Sequence, residues 1–308
     1  MKVALVGTGV IGRAWAVVFA RAGHSVALYD ENPAMLAQAR DHIAGSLEQF
    51  RQAGIVSDPA MVLTRITASA TLAEALAGAD YVQESVVENV DVKRSVFQAM
   101  DSLAPSDAIL ASSASAIPGS DFMDVPGRAR CLVAHPVSPP SLVPLVELVP
   151  TPWTSPEVVA RTRQLMHDVG QSPVVLHKEI PGFVLNRLQA AVISEAMHLV
   201  AEGVISPDDL DCTMRDGLGL RWSFMGPFET MDLNADDGIE GYLRRYAKSY
   251  ETMCALLRVT DAWRAEAINA VSAERRRLVP ADKLAERRAW RDRNLLRLKK
   301  ARIDEAKQ

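Results

Sequence analysis

The sequence predicts an α/β protein in which a doubly wound, largely parallel sheet is followed by an all-α region. Two observations support this prediction. From the amino terminus to about residue 180, short apolar runs of strand length alternate with longer stretches of helical composition. Beyond that point the chain contains no further run of strand character. The order of elements therefore indicates a doubly wound domain over residues 1–180 and a helical domain over residues 181–308.

Length and composition support this division and exclude several classes of protein. A chain of 308 residues is long for a single hydrophobic core, so two domains are expected. The formal net charge of −4 argues against nucleic acid or an anionic membrane as the main partner. Three widely separated cysteines form neither a disulfide framework nor a metal cluster. With no signal peptide and no membrane-length apolar run, we expect a cytoplasmic protein without a metal.

The first strand and helix are joined by a glycine-rich turn of the type that binds dinucleotides. An apolar run at residues 3–6 leads into GTGVIG, which opens a helical stretch. The three glycines permit a tight turn, close approach of a pyrophosphate and close helix–strand packing. The predicted cofactor-binding residues of this turn are Gly7, Gly9, Val10, Ile11 and Gly12.

An acidic residue at the end of the second strand favours one cofactor over another. Asp30 follows Gly9 by about twenty residues, where the fingerprint places an acid for the ribose hydroxyls. Glu31 and Asn32 come next, with no arginine to receive a 2′-phosphate. The sequence therefore predicts a Rossmann domain that binds NAD rather than NADP.

Further strands are predicted along the first domain, with helices between them. An inserted helical hairpin, at residues 33–53 and just after, separates the second strand from the third. The later strands are expected at residues 66–67, 81–87, 108–111, 131–134, 143–149 and 173–176.

A histidine and a glutamate on two successive strands suggest a general base. His135 comes at the mouth of a buried strand, and Glu147 lies within the apolar run LVPLVELVP. A buried carboxylate is costly unless it is paired, and His135 is a nearby candidate partner. Such a pair fixes the imidazole tautomer and leaves one ring nitrogen free to take a proton. The alternative is that the two residues lie on unrelated surfaces.

The run Ser112-Ser113-Ala114-Ser115 follows the fifth strand. Ligands of open α/β sheets bind at the carboxyl ends of the strands, so a hydroxyl here would face a substrate. Alternatively, the serines satisfy backbone groups of the loop.

The helical region opens with a long apolar helix over residues 183–202, which carries Asn186 in its first turn. Apolar residues on more than one face of this helix indicate a dimer core or a contact between domains. Arg221 stands in the apolar stretch 217–227, predicted to be a loop, and needs a carboxylate from a protein neighbour or from a substrate. The basic tail over residues 274–300 is predicted to form one amphipathic helix lying on the body of the protein.

Taken together, these motifs resemble the L-3-hydroxyacyl-CoA dehydrogenase superfamily from residue 1 to about residue 260. The motifs are GTGVIG, Asp30, VENVDVK, SSAS, HPVSPP with Glu147, and PGFVLNRL. The stretches HPVSPPSLVPLVELVPTPWTSP and GLGLRWSFMGPFETMDLNADDG are most similar to its lambda-crystallin branch, which includes L-gulonate 3-dehydrogenase.

The resemblance implies roles for individual residues. Ser115 and Asn186 are expected to hold the 3-oxygen of the substrate, with His135 as the proton acceptor and Glu147 orienting it. The spacing between the histidine and the glutamate matches the catalytic pair of the family.

The resemblance also suggests cofactor and substrate contacts. Glu88 and Lys93 are expected beside the nicotinamide end of the cofactor, and Arg221 near a substrate carboxylate. Ser113 stands where many acyl-CoA members have asparagine, and RWSFMGPFE differs from their YPMGPFE. Both departures weigh against a CoA thioester as the substrate.

The predicted function is NAD-dependent oxidation of the 3-hydroxyl of a small L-3-hydroxy acid, as in L-gulonate 3-dehydrogenase. One alternative is a 3-hydroxybutyryl-CoA dehydrogenase of fatty-acid metabolism, and another is a catalytically silent, crystallin-like structural protein. A phosphogluconate-type dehydrogenase is disfavoured, because the site of those enzymes centres on a lysine whereas this sequence has the histidine–glutamate pair. The expected partners are the small-molecule substrate and a second copy of the chain, in a homodimer formed by the helical domain.

Overall fold

The computed structural model of the protein describes residues 1–257 and 263–305. The chain divides into two compact units. The first contains Met1–Asn186 together with the residues from Ala289 onward, and the second contains Arg187–Arg288. The predicted domain of residues 181–308 thus does not coincide with one compact unit, because its last part packs with the first.

The first unit is built on one eight-stranded sheet with the strand order β3-β2-β1-β4-β5-β6-β7-β8. All neighbouring strands are parallel except β6 and β7, which are antiparallel. The strands are β1 Lys2–Val6, β2 Ser25–Tyr29, β3 Ile66–Ala68, β4 Tyr81–Glu84, β5 Ile109–Ser112, β6 Cys131–Pro136, β7 Leu145–Pro150 and β8 Ser172–Val175. The predicted Rossmann architecture followed by a helical region is confirmed.

Helices connect these strands, and side-chain caps fix where most of them begin. The helices are α1 Val10–Arg21, α2 Pro33–Gln52, α3 Pro59–Leu63, α4 Leu72–Leu76, α5 Val90–Leu103, α6 Pro156–Asp168 and α7 Leu185–Ala201. The capping side chains accept a hydrogen bond from a backbone amide of the first turn and belong to Asn32, Asp58, Thr71, Asn89 and Ser155. The inserted hairpin of the prediction corresponds to α2 and α3.

The sheet is buried on both faces. Along β1, Val3 and Leu5 belong to one hydrophobic cluster, whereas Ala4 and Val6 belong to another. Because successive side chains of a strand point to opposite faces, both faces of the sheet are covered. This explains why the strands appear in the sequence as continuous apolar runs rather than alternating ones.

Two strand ends differ from the prediction in ways that matter for the site. β4 ends at Glu84 rather than residue 87, because its last pair with β1 joins Glu84 to Val6, where β1 ends. β6 continues through His135 instead of ending before it, because it pairs in antiparallel register with β7. His135 and Glu147 are therefore directly opposite each other on neighbouring strands.

Among its described residues the second unit consists of helices joined by turns. The α-helices that the structure describes after α7 are α8 Pro207–Cys212, α9 Gly219–Trp222, α10 Pro227–Leu233, α11 Gly238–Cys254, α12 Ala265–Leu278 and α13 Leu284–Glu305. The prediction of a loop over residues 217–227 is wrong for residues 217–222, because a π-helical turn at Thr213–Leu218 leads directly into α9. Residues 223–226, between α9 and α10, are not helical. No helix among the described residues is both long and apolar enough to cross a membrane.

The basic tail forms two helices rather than the single one predicted. The chain leaves helical geometry at Val279, immediately before Pro280, and α13 starts four residues later. Leu295 and Leu296 pack against the core of the first unit. Leu298, on the same helix, is 60% exposed.

Docking of α13 therefore contributes to the stability of the first unit. We expect Leu296→Ala to lower the free energy of unfolding by about 2–4 kcal/mol, because it leaves a cavity in a packed core. Leu298→Ala, on the same helix, should change it by less than about 0.5 kcal/mol. Urea denaturation of both variants measures the difference, and equal losses would show that α13 is not anchored through Leu296.

Candidate active site

The glycine-rich turn has the geometry of a phosphate-binding loop. Gly7 has a φ of 97°, and a Cβ there would lie 2.6 Å from the carbonyl oxygen of Ser85. A Cβ at Gly12 would lie 1.9 Å from the carbonyl oxygen of Gly7, so helix and turn can approach this closely only with glycine. Around Gly9, by contrast, no described atom lies within 4 Å of a Cβ position. The backbone at the start of α1 is thus open to a ligand, and Val10 and Ile11 form its first turn.

A cavity of about 410 Å³ adjoins this turn. Gly7, Gly9 and Asp30 line it, together with apolar side chains from α2, α4 and α5. One carboxylate oxygen of Asp30 accepts hydrogen bonds from the amide and the hydroxyl of Thr8, which hold the carboxylate beside the glycine turn. The charged side chains among the described lining residues are Asp30 and Glu31, both acidic. This lining fits the uncharged ribose hydroxyls of NAD and disfavours a 2′-phosphate.

His135 and Glu147 form a buried pair. The side chains of both are almost fully enclosed, and His135 Nδ1 lies 2.8 Å from Glu147 Oε2. The other carboxylate oxygen, Oε1, accepts hydrogen bonds of 2.9 Å from the amides of Val184 and Leu185. Burial by itself raises the pKa of Glu147, but the hydrogen bonds from His135 and the two amides outweigh burial and hold the pKa below its usual value. Glu147 is therefore ionised at neutral pH.

The segment that supplies these two amides also contacts the imidazole. Phe183 has a φ of 50°, is fully buried, and its ring centroid lies 5.4 Å from that of His135. Asn186 follows directly, and its Nδ2 donates a 2.6 Å hydrogen bond to the carbonyl oxygen of Ser115. The start of α7 is thus bonded both to Glu147 and to the loop after β5.

Glu88 organises the loop after β5. Its Oε1 accepts hydrogen bonds from the amide of Ser115 at 2.8 Å, from the Ser115 hydroxyl at 3.3 Å and from the amide of Ala116 at 3.2 Å. Burial by itself raises the pKa of Glu88, but the charge of Lys93 and the two amides outweigh this and lower the pKa. Ser115 itself is exposed. The polar run at the end of β5 therefore presents one accessible hydroxyl, fixed by an ionised carboxylate.

Lys93 is held within the protein rather than exposed to a ligand. It is 1% exposed, and its Nζ lies 2.9 and 3.1 Å from the two carboxylate oxygens of Glu84 and 3.4 Å from Glu88 Oε2. Lys93 was predicted to lie beside the cofactor. In this structure its buried ammonium contacts two carboxylates, of which that of Glu88 belongs to an exposed residue.

Ser113 is turned away from the exposed loop. Its hydroxyl is bonded to Trp15 Nε1, to Gln83 Nε2 and to the hydroxyl of Ser85, all within the first unit. The residue that differs from many acyl-CoA members therefore ties α1 to the sheet. The serine at this position therefore says less about whether the substrate is a CoA thioester than the sequence suggested.

Arg221 belongs to the second unit, where it lies on α9 and is exposed. Within the described part of the chain, no carboxylate lies within ion-pair distance of it. Its expected enclosure by apolar side chains is not observed, since Leu220, Trp222 and Phe224 are themselves exposed.

Most of the predicted residues of the first unit thus belong to one series of contacts. His135 contacts Glu147, and Glu147 bonds to the two backbone amides just before Asn186. Asn186 bonds to Ser115, Ser115 to Glu88, and Glu88 contacts Lys93. No hydrogen bond joins His135 directly to Ser115 or Asn186 within residues 1–257 and 263–305. Neither is there a cluster of three or more potential metal ligands among these residues.

Three contributors to the site were missed by sequence reasoning: Thr8, Glu84 and Phe183. Glu84 had a usable signal, because an acid at a strand end is followed nine residues later by a lysine on the next helix. The positive φ of Phe183 and the Thr8 bonds to Asp30 had no such signal.

Two family models match the chain between residues 2 and 270. The NAD-binding domain of 3-hydroxyacyl-CoA dehydrogenase matches residues 2–180, and the C-terminal domain of the same family matches residues 182–270. The boundary between the two matches lies in the segment that leads to Phe183.

Individual relatives agree with this assignment. Lambda-crystallin from Oryctolagus cuniculus is 44% identical over 304 residues, which cover 97% of this chain and 95% of the relative. L-carnitine dehydrogenase from Streptomyces griseus is 37% identical over 238 residues, 77% of this chain and 70% of the relative. Among solved structures, an NAD⁺-dependent dismutase, 5-formyl-3-hydroxy-2-methylpyridine-4-carboxylic acid 5-dehydrogenase, matches with a TM-score of 0.84 and 29% identity over 97% of each chain.

The matches span both units, and the NAD-binding match contains the glycine turn and Asp30 whose geometry suits that cofactor. The protein therefore belongs to the 3-hydroxyacyl-CoA dehydrogenase family and is an NAD-dependent oxidoreductase.

Proposed function

We propose that the protein oxidises the 3-hydroxyl of a small L-3-hydroxy acid to the 3-oxo acid, with His135 as the general base. The observation that carries this proposal is the buried His135–Glu147 pair. Glu147 accepts the Nδ1 proton of His135, which fixes the tautomer and leaves Nε2 unprotonated. Nε2 has no hydrogen-bond partner among the described residues and takes the proton of the substrate hydroxyl.

Glu147 also stabilises the charge that proton transfer creates. The ionised carboxylate faces the imidazolium at 2.8 Å in a water-poor environment, where such an interaction is strong. Its second oxygen is fixed by two backbone amides, so the carboxylate does not need to rotate during the reaction.

Ser115 and Asn186 orient the 3-oxygen of the substrate. Ser115 is exposed at the carboxyl edge of the sheet, and Asn186 is bonded to its carbonyl, so the two side chains are held next to each other. NAD, bound at the glycine turn, supplies the hydride acceptor. Asn186 Nδ2 has a second N–H that stabilises an oxygen gaining negative charge in the reverse reaction, and the Ser115 hydroxyl does so once it turns away from Glu88.

Two observations favour a free acid as the substrate. L-carnitine, named for one relative, is a small hydroxy acid. Arg221 is an exposed arginine without an ion-pair partner in the described part of the chain, as a residue that receives a substrate carboxylate requires. A 3-hydroxyacyl-CoA remains the second candidate, because the family model carries that name.

The protein further forms a homodimer through its helical region. In the single chain the second unit leaves many large apolar side chains exposed, among them Leu188, Val192, Phe224, Phe228, Leu233 and Leu256. Leu188 and Val192 are one turn apart on α7 and so share a face. Exposed apolar surface of this extent is typical of a protein–protein interface.

The substrate class is tested by NADH formation with L-gulonate, L-carnitine, L-3-hydroxybutyrate and L-3-hydroxybutyryl-CoA. We expect a free acid to be preferred. Arg221→Ala should raise its KM about ten- to a hundredfold, since a charge-assisted hydrogen bond is lost. Arg215→Ala is the matched control, because that neighbouring arginine already pairs with Asp216 at 2.6 Å. Preference for the CoA ester, with Arg221→Ala indifferent, would contradict the free-acid assignment.

The role of the pair is tested with Glu147→Gln. A glutamine amide donates to Nδ1, which places the proton on Nε2 and removes the base. We expect kcat to fall about a hundred- to ten-thousandfold with NAD affinity unchanged. Glu157→Gln, an exposed glutamate on α6, should leave both values unaltered. Unchanged turnover in Glu147→Gln would refute the assignment of the pair.

The dimer is tested by light scattering after size exclusion. The wild type should have twice the 33.5 kDa mass of the chain. Leu188→Asp with Val192→Asp should give a monomer, because two charges are placed in an apolar contact. Leu103→Asp, at an exposed leucine of the first unit, serves as the control. A monomeric wild type would overturn the proposal.

A further inference from the structure

Glu84 is the most completely buried carboxylate at the carboxyl edge of the sheet, and the mechanism above does not use it. It ends β4 and is 0% exposed. Its oxygens accept hydrogen bonds from the Lys93 ammonium, from the amide of Val86 at 2.6 Å and from the hydroxyl of Ser112. Such a group is costly to bury unless every oxygen is bonded, and here each of them is.

Lys93 connects Glu84 to the surface. Its ammonium contacts both oxygens of Glu84 and lies 3.4 Å from Glu88 Oε2, and its Nζ is 5.8 Å from the centre of the Phe122 ring. One cation thus faces two carboxylates, and the closer contact is with the buried one. The attraction of the Lys93 ammonium to Glu84 therefore limits how strongly it attracts Glu88, and this determines the position of the partly exposed Glu88 carboxylate.

The position of Glu88 in turn sets that of the loop after β5. The oxygen of Glu88 that does not face Lys93 accepts three hydrogen bonds from Ser115 and Ala116. The same loop is bonded on its other side to Gly182 and Asn186. A shift of Glu88 toward Lys93 would therefore withdraw the acceptor that holds the Ser115 amide and hydroxyl.

We propose that Glu84 is a positioning residue for the reaction: by holding Lys93 it keeps Glu88 bonded to the loop and so fixes Ser115. The inference rests on the proposed function in that it takes Ser115 as a contact of the substrate's 3-oxygen. Glu84 itself touches neither substrate nor cofactor and acts through Lys93 and Glu88.

The charge arrangement predicts what Glu84→Gln does. The variant keeps the shape of the side chain but leaves the buried ammonium with Glu88 as its carboxylate partner. Lys93 then draws Glu88 away from Ser115 and Ala116. We expect kcat to fall about ten- to a hundredfold, as for other small misplacements of a reacting group.

A control variant at another ion pair separates positioning from general damage to the fold. Asp101→Asn is the matched control, because it breaks another enclosed ion pair, with Arg130, the residue just before β6. It should lower thermal stability without altering kcat.

Hydrogen–deuterium exchange gives a readout that does not depend on catalysis. Peptides covering residues 112–118 should exchange faster in Glu84→Gln than in the wild type, and at wild-type rates in Asp101→Asn. Unchanged exchange or unchanged kcat in Glu84→Gln would overturn the role of Glu84. If the wild type oxidises none of the tested substrates, the proposed function fails, and exchange alone still decides whether Glu84 positions the loop.

Discussion

The site depends on one buried carboxylate that is kept charged. Glu147 lies within the sheet, where ionisation is unfavourable, and three donors offset that cost: His135 and the amides of Val184 and Leu185. The two amides exist in the right place only because the chain leaves the sheet at this point and starts α7. Glu147 thereby holds the imidazole of His135 with one oxygen and the backbone at the start of α7 with the other.

The same segment joins the base to the rest of the site. Asn186 follows the two amides and bonds to the Ser115 carbonyl, while Glu88 bonds to the Ser115 amide. Groups on, or just after, strands β4 to β7 are thus connected to one another by hydrogen bonds. Such a network is stiff. This suits chemistry in which a proton acceptor and a hydrogen-bond donor must be held at fixed positions relative to each other.

The two ends of the network carry charge in different ways. At His135 a single carboxylate faces the imidazole. At Lys93 one cation is shared between two carboxylates, which leaves Glu88 ionised beside the loop. The acidic lining of the neighbouring cavity, Asp30 and Glu31, adds to the negative character of this edge of the sheet and suits a cofactor without an extra phosphate.

Much of this could be predicted from local patterns. Glycines at fixed spacing, the acid after the second strand and buried apolar runs each have a short-range physical cause, so the Rossmann domain, NAD and the pairing of His135 with Glu147 were all accessible from the residues. The remainder depends on contacts between distant segments. Lys93 turned inward because Glu84 lies beneath it, and Ser113 faces Trp15 rather than a ligand. Residues 217–222 became helical by continuing the turn at Thr213–Leu218. The last helix, α13, returned to the first unit because packing of Leu296 outweighs weak local propensities.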